Sequence, residues 1–123
     1  MGGNDIVEIE PYAFYGLANL TGSLSFSSLT TLHSGSFYGL ENLTKLDLGG
    51  TSITKLPSFA FNGLESLTEL YLGSYITEVE PYAFYGLSAF TGGSYGLSFD
   101  GNPLTTLHSG SFYGLENLVK LEL

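Results

Sequence analysis

A four-residue signature, Phe-x-Gly-Leu, returns five times along the chain: Phe14-Tyr15-Gly16-Leu17, Phe37-Tyr38-Gly39-Leu40, Phe61-Asn62-Gly63-Leu64, Phe84-Tyr85-Gly86-Leu87 and Phe112-Tyr113-Gly114-Leu115. Successive copies stand 23, 24, 23 and 28 residues apart. The stretch from Phe61 to Leu72 shows the unit at its most regular. Phe61, Leu64 and Leu67 have the spacing of a turning chain, whereas Leu70 and Leu72 alternate as in a strand, so the hydrophobic period changes partway through. One such unit cannot bury its own apolar side and has to be stacked on copies of itself.

A Leu-x-x-Leu-x-Leu frame follows each signature. It is regular at Leu43-Leu46-Leu48, Leu67-Leu70-Leu72 and Leu118-Leu121-Leu123, and stretched at Leu20-Leu24-Phe26 and Phe90-Leu97-Phe99. The extra residues, around Gly22 and at Gly92-Gly93-Ser94-Tyr95, are expected to form a bulge and a small loop. Each unit opens on a short alternating segment (Ile6 to Ile9, Leu29 to Leu32, Ile53 to Leu56, Ile76 to Val79, Leu104 to Leu107). Pro11, Pro57 and Pro81 then hold the preceding residue extended. These features predict a single domain over 5–123, with a disordered head at 1–4 and units at 5–26, 27–48, 49–72, 73–99 and 100–123. Little α-helix is expected.

The Leu67-x-x-Leu70-x-Leu72 and Leu118-x-x-Leu121-x-Leu123 frames, each behind its Phe-x-Gly-Leu, resemble the leucine-rich repeat family. The likeness is to the extracellular "typical" subclass of Toll-like receptors, Slit proteins and variable lymphocyte receptors. The resemblance implies a curved repeat solenoid, conventionally placed in the α/β class, with a parallel concave sheet of about five strands and an irregular or 3₁₀ convex side. It also implies a protein-recognition role and an extracellular setting, although no signal peptide opens this sequence. The asparagine that this family carries after the strand occurs only at Asn102, with Thr51 as a partial substitute. The cysteine-rich caps of extracellular members have no counterpart.

A second order of repetition lies above the first. Glu10 to Leu17 recurs as Glu80 to Leu87, and Leu29 to Leu43 recurs as Leu104 to Leu118, so the units run A-B-C-A-B. Near-identity at surface positions is consistent with recent duplication, or with a designed or excised scaffold that has no natural ligand.

Charge narrows the partners. Twelve acidic against three basic residues leave a net charge of −9, which disfavours nucleic acid and anionic membrane surfaces. No apolar run is long enough to cross a bilayer. Without cysteine there is no disulfide and no thiolate chemistry. His33-Ser34 and His108-Ser109 place a base beside a hydroxyl, but neighbouring side chains on extended chain point apart, and nucleophilic catalysis needs them to meet. The two histidines lie three repeats apart, about 15 Å at a strand spacing of about 4.8 Å, and cannot share an ion. The expectation is therefore no catalysis, no cofactor and no metal.

Binding is the better candidate. With the frame leucines turned inward, the alternate residues face the concave side: Ser23 and Ser25, Lys45 and Asp47, Glu69 and Tyr71, Ser98 and Asp100, Lys120 and Glu122. Lys45, Asp47, Glu69 and Tyr71 form the densest group. A rival surface is the tyrosine set Tyr15, Tyr38, Tyr85 and Tyr113, expected to pack as a spine with only the hydroxyls in water. The terminal units are expected to expose Ile6, Ile9, Phe14 and Leu17 at one end and Leu118, Leu121 and Leu123 at the other, which would promote homo-oligomers. Asn19 and Asn42 head Asn-Leu-Thr sequons, acceptors for glycans in a secretory pathway.

Overall fold

The protein is described from a computed structural model covering residues 5–123; the head at 1–4 lies outside the described residues. The chain winds into about five turns of a parallel β-solenoid, each turn contributing two strands and no turn a helix among those residues.

The leucine frames form one set of strands: β2 (Gly22–Ser25), β4 (Leu43–Asp47), β6 (Glu69–Tyr71), β8 (Leu97–Ser98) and β10 (Leu121–Glu122). The alternating segments form the other: β1 (Glu8–Ile9), β3 (Thr31–Leu32), β5 (Lys55–Leu56), β7 (Glu78–Val79) and β9 (Thr106–Leu107). Every pairing is parallel and joins a strand to its counterpart one turn on, and the alternating segments divide into β1-β3 and β5-β7-β9. That is the geometry a repeat imposes, because the chain must travel a full turn before it can pair with itself.

Among the described residues the concave strands number five but do not make one sheet. They divide into β2-β4-β6 and β8-β10. The break falls at Gly92-Gly93-Ser94-Tyr95, where four additional residues intervene before β8. Gly92 still donates to the Thr68 carbonyl (3.1 Å), after which the loop carries the backbone out of register with β6. The single extra residue near Gly22 has a milder effect, a register shift between Gly22 and Ser23 within an intact β2-β4 ladder.

Between the two strands of each turn the chain passes through successive tight turns. Tyr15 donates to the Tyr12 carbonyl and Leu17 to that of Phe14, three residues back in each case. The pattern is too short to become a helix; its first bond repeats in every turn and its second in all but the fourth. A backbone ladder ties these corners together: Tyr12 N–H donates to the Gly35 carbonyl, Gly35 to Phe59, Phe59 to Tyr82 and Tyr82 to Gly110, at 2.9 to 3.0 Å. All five residues have positive φ, including the non-glycines Tyr12, Phe59 and Tyr82.

The core runs the length of the array. The signature phenylalanines stack face to face, Phe14 on Phe37, Phe37 on Phe61, Phe61 on Phe84 and Phe84 on Phe112, with centroids 5.4 to 6.2 Å apart and planes within 15°. The three central rings are wholly buried. Such offset stacks contribute about 0.5–1.5 kcal/mol each beyond the apolar area they cover. Gly39 must lie close under the preceding turn: a Cβ there would stand 2.7 Å from the Phe14 carbonyl oxygen. Where the asparagine ladder is lacking, the buried Thr51 hydroxyl donates to the Leu48 carbonyl (2.7 Å), while Asn102 accepts from the Ile76 N–H (2.8 Å). No buried side-chain polar atom lacks a partner among the described residues.

The terminal turns differ from expectation most sharply at Ile9, and in part at Phe14 and Leu118. Ile6 and Leu17 are exposed, Phe14 is half-buried, but Ile9 is 96% covered. Ile9 is paired with Leu32 in the β1-β3 ladder, so its side chain lies over the core rather than on the open end. At the other end Leu118 is half-buried, while Leu121 and Leu123 are exposed.

Candidate functional site

Register places the densest concave group side by side. Lys45 is opposite Glu69, Asp47 opposite Tyr71, and on the other flank Ser23 and Ser25 lie against Lys45 and Asp47. The Lys45 ammonium sits 5.1 Å from the centre of the Tyr71 ring, within cation–π range. The Tyr71 hydroxyl donates to Glu69 (2.7 Å), and Asp47 caps its own turn by accepting from the Gly49 N–H (2.8 Å). The Glu69 hydrogen bond, with burial and the nearby negative groups adding to it, raises the Tyr71 phenol to about 12. This group is thus largely satisfied within itself.

The remaining concave residues lie beyond the break in the sheet. Ser98 donates to Glu122 (2.8 Å), and Lys120 and Asp100 are exposed. Between the two halves lies a cleft of about 140 Å³ bordered by Tyr71, Gly73, Tyr95, Ser98 and Asp100. Tyr95 belongs to the inserted loop and is 69% exposed, so the concave side carries a second aromatic that strand alternation did not assign to it.

The tyrosine set departs from expectation. Tyr15, Tyr38, Tyr85 and Tyr113 show 36 to 73% of their surface to solvent rather than the hydroxyls alone. Tyr15 stacks on Tyr38 and Tyr85 on Tyr113, each pair at 6.2 Å. Tyr12, Phe59 and Tyr82 meet them edge on. The buried spine role is filled by the phenylalanine one position earlier, whose ring turns into the core. The Tyr series is interrupted at Asn62, and a flank cleft opens on each side of it. One of about 430 Å³ is bordered by Asn62, Glu65, Tyr85, Tyr113 and Glu116, and one of about 310 Å³ by Tyr12, Tyr38, Phe59 and Asn62.

Two carboxylate–imidazole groups also emerge. His33 Nε2 lies 2.6 Å from Glu8, with Glu10 beside them. His108 Nε2 lies 2.5 Å from Glu78 and 3.5 Å from Glu80. The sequence signal for both was a Glu-x-Glu-Pro in each A unit and a histidine in each B unit. Ser34 does not join its neighbouring histidine; its hydroxyl donates to the Ser58 carbonyl. Asn19 is exposed, and the exposed Asn42 amide donates to the Ala18 carbonyl across the repeat boundary.

A family model described as the BspA type leucine rich repeat region (6 copies) matches residues 3–94. A crystal structure of a TLR13–ssRNA13 complex is similar over the whole chain, with 32% sequence identity and a TM-score of 0.84. The chain spans 17% of the length of that protein. No curated protein matches.

Proposed function

Because the chain belongs to the BspA-type leucine-rich repeat family, we propose that it is a non-catalytic recognition module that holds a protein partner on the aromatic flank. The observation that carries this reading is the row of exposed, mutually stacked rings flanking the Asn62 gap. Large rings with few rotatable bonds give contact area at low entropic cost. Glu65 and Glu116 border the larger cleft, and the net charge is −9. A partner segment bearing arginine or lysine suits both the rings and the carboxylates. RNA is the ligand in the TLR13 complex, but three basic residues in 123 supply little to offset phosphate charge here.

The concave side is the second reading, favoured by the Tyr71–Tyr95 cleft between the two half-sheets. Its weakness is that Tyr71, Glu69 and Asp47 already satisfy one another or their own turn. The two surfaces separate in one experiment: binding of the chain to an array of basic, neutral and acidic peptides, repeated with Tyr85→Ala/Tyr113→Ala and with Tyr71→Ala/Tyr95→Ala. Loss of basic-peptide binding in the first pair alone supports the flank. Loss in the second pair alone moves the site to the concave cleft, and no binding by the unmodified chain overturns both.

A further inference from the structure

His33 and His108 stand at equivalent places, the two junctions where an A unit meets a B unit. At each, a Glu-x-Glu segment of the A unit and the histidine of the following B unit converge, and one donor atom from each of the three side chains lies within 4.8 Å of the others. We propose that each junction binds a divalent transition-metal ion of the zinc type: Glu8, Glu10 and His33 at the first, Glu78, Glu80 and His108 at the second.

The dimensions suit such an ion. Zinc–nitrogen and zinc–oxygen bonds of about 2.0–2.2 Å require ligand atoms about 3.4 Å apart on a tetrahedral edge. His108 Nε2 is 2.5 Å from Glu78 and 3.5 Å from Glu80, so an ion enters by parting one pair by about 1 Å. All three side chains at that junction are about one-third exposed, so the movement meets little packing resistance. The donor set, one imidazole and two carboxylates, leaves a fourth position for water and selects zinc-like ions over magnesium or calcium, which favour oxygen alone.

The histidines are also held in place from behind. The buried Ser36 hydroxyl donates to the Ile9 carbonyl (2.7 Å), and Ile9 lies between the two glutamates; the Ser36 hydroxyl oxygen in turn accepts from the His33 N–H (2.9 Å). Ser111 repeats both bonds, to the Val79 carbonyl at 2.7 Å and from the His108 N–H at 2.8 Å. One buried hydroxyl therefore locks the backbone that carries the imidazole to the backbone that carries both carboxylates. Support of this kind behind the ligands is what a preorganised site requires.

The junctions are not equivalent in competition. Lys55 stands 3.6 Å from Glu80 and must give way at the second. A bound ion would cross-link adjacent repeats, so binding stabilises the array.

The test is calorimetric titration of zinc chloride into the full chain freed of metal with a chelator. Two zinc ions per chain are expected, the weaker site tightening at least threefold in Lys55→Met, with no heat from magnesium. His33→Gln should leave one site and the double variant His33→Gln/His108→Gln none. The variants' far-ultraviolet dichroism and metal-free melting temperature report whether they fold. In the unmodified chain, long-range proton–nitrogen spectra should show both Nε2 resonances moving with added zinc. Unmoved imidazole signals, full zinc uptake by the double variant, or equal uptake of magnesium would each overturn the proposal in favour of diffuse carboxylate binding.

Discussion

Tyr71 donates its phenolic hydrogen to Glu69, two residues back on the same face of β6, across 2.7 Å. The bond exists only while the phenol is protonated, and the carboxylate beside it opposes ionisation; together with burial these raise the Tyr71 phenol to about 12. Because the folded value lies above the unfolded one, the associated stability is complete below about pH 10 and is lost as pH rises through about 12. In an ultraviolet titration of the nine tyrosines, one should ionise last. Glu69→Gln should bring it back toward the rest, and a single common transition in the unmodified chain would contradict the assignment.

The signature glycines share a backbone conformation but not a neighbourhood. Gly16 and Gly39 both have positive φ, 97° and 110°, yet a Cβ on Gly16 meets nothing within 4 Å while one on Gly39 meets backbone at 2.7 Å. Gly16→Ala should cost about 1–2 kcal/mol from conformational strain alone. Gly39→Ala adds an overlap with the turn below and should cost about 3 kcal/mol or more. Denaturant midpoints of the two variants decide this.

Ser36 holds two backbone groups with one oxygen inside the core. Ser36→Ala leaves the His33 N–H and the Ile9 carbonyl without that partner and should destabilise the chain by about 2–3 kcal/mol. An unchanged unfolding curve would show that water or backbone movement replaces the hydroxyl.

Asn62 interrupts the outer ring series between Tyr38 and Tyr85. Asn62→Tyr should restore continuity and add about 1 kcal/mol of stability. It should also fill the flank clefts and weaken binding of basic peptides if the flank is the contact surface. Thermal unfolding and the peptide array measure the two effects separately.

Leu121 and Leu123 are exposed beside a β10 whose partner among the described residues is β8 alone. Ile6 and Leu17 are exposed at the opposite end. Such surfaces favour contact with a further repeat or with another chain. Self-association of this chain is expected in sedimentation at micromolar concentration, weakened by Leu121→Lys, and a strictly monomeric profile would exclude it.

Much of the fold was legible because the repeat states it five times. The change of period within Phe61–Leu72 separates corner from strand, and the Gly22 irregularity announces its own register shift. The division of the concave sheet was less legible. The four inserted residues at Gly92–Tyr95 were visible, but whether a loop bulges within a ladder or severs it depends on which backbone bonds survive on the neighbouring turn. Ile9 was misplaced for a related reason: an end unit is open on one side only, and pairing with Leu32 covers it from the other.

The candidate sites divide along the same line. Strand alternation alone assigned Lys45, Asp47, Glu69 and Tyr71 to one face, because a period of two leaves no other choice. It said nothing of Tyr71 donating to Glu69, or of rings at Tyr15 and Tyr38 stacking outside while Phe14 and Phe37 stack within. Nor did it join His33 to Glu8, 25 residues away. The local order of apolar and polar residues determined that this chain must stack, and which side chains turn inward. Only the tertiary structure decided which residues of successive turns stand level with one another, because that follows from the exact length of chain and the backbone bonds between turns.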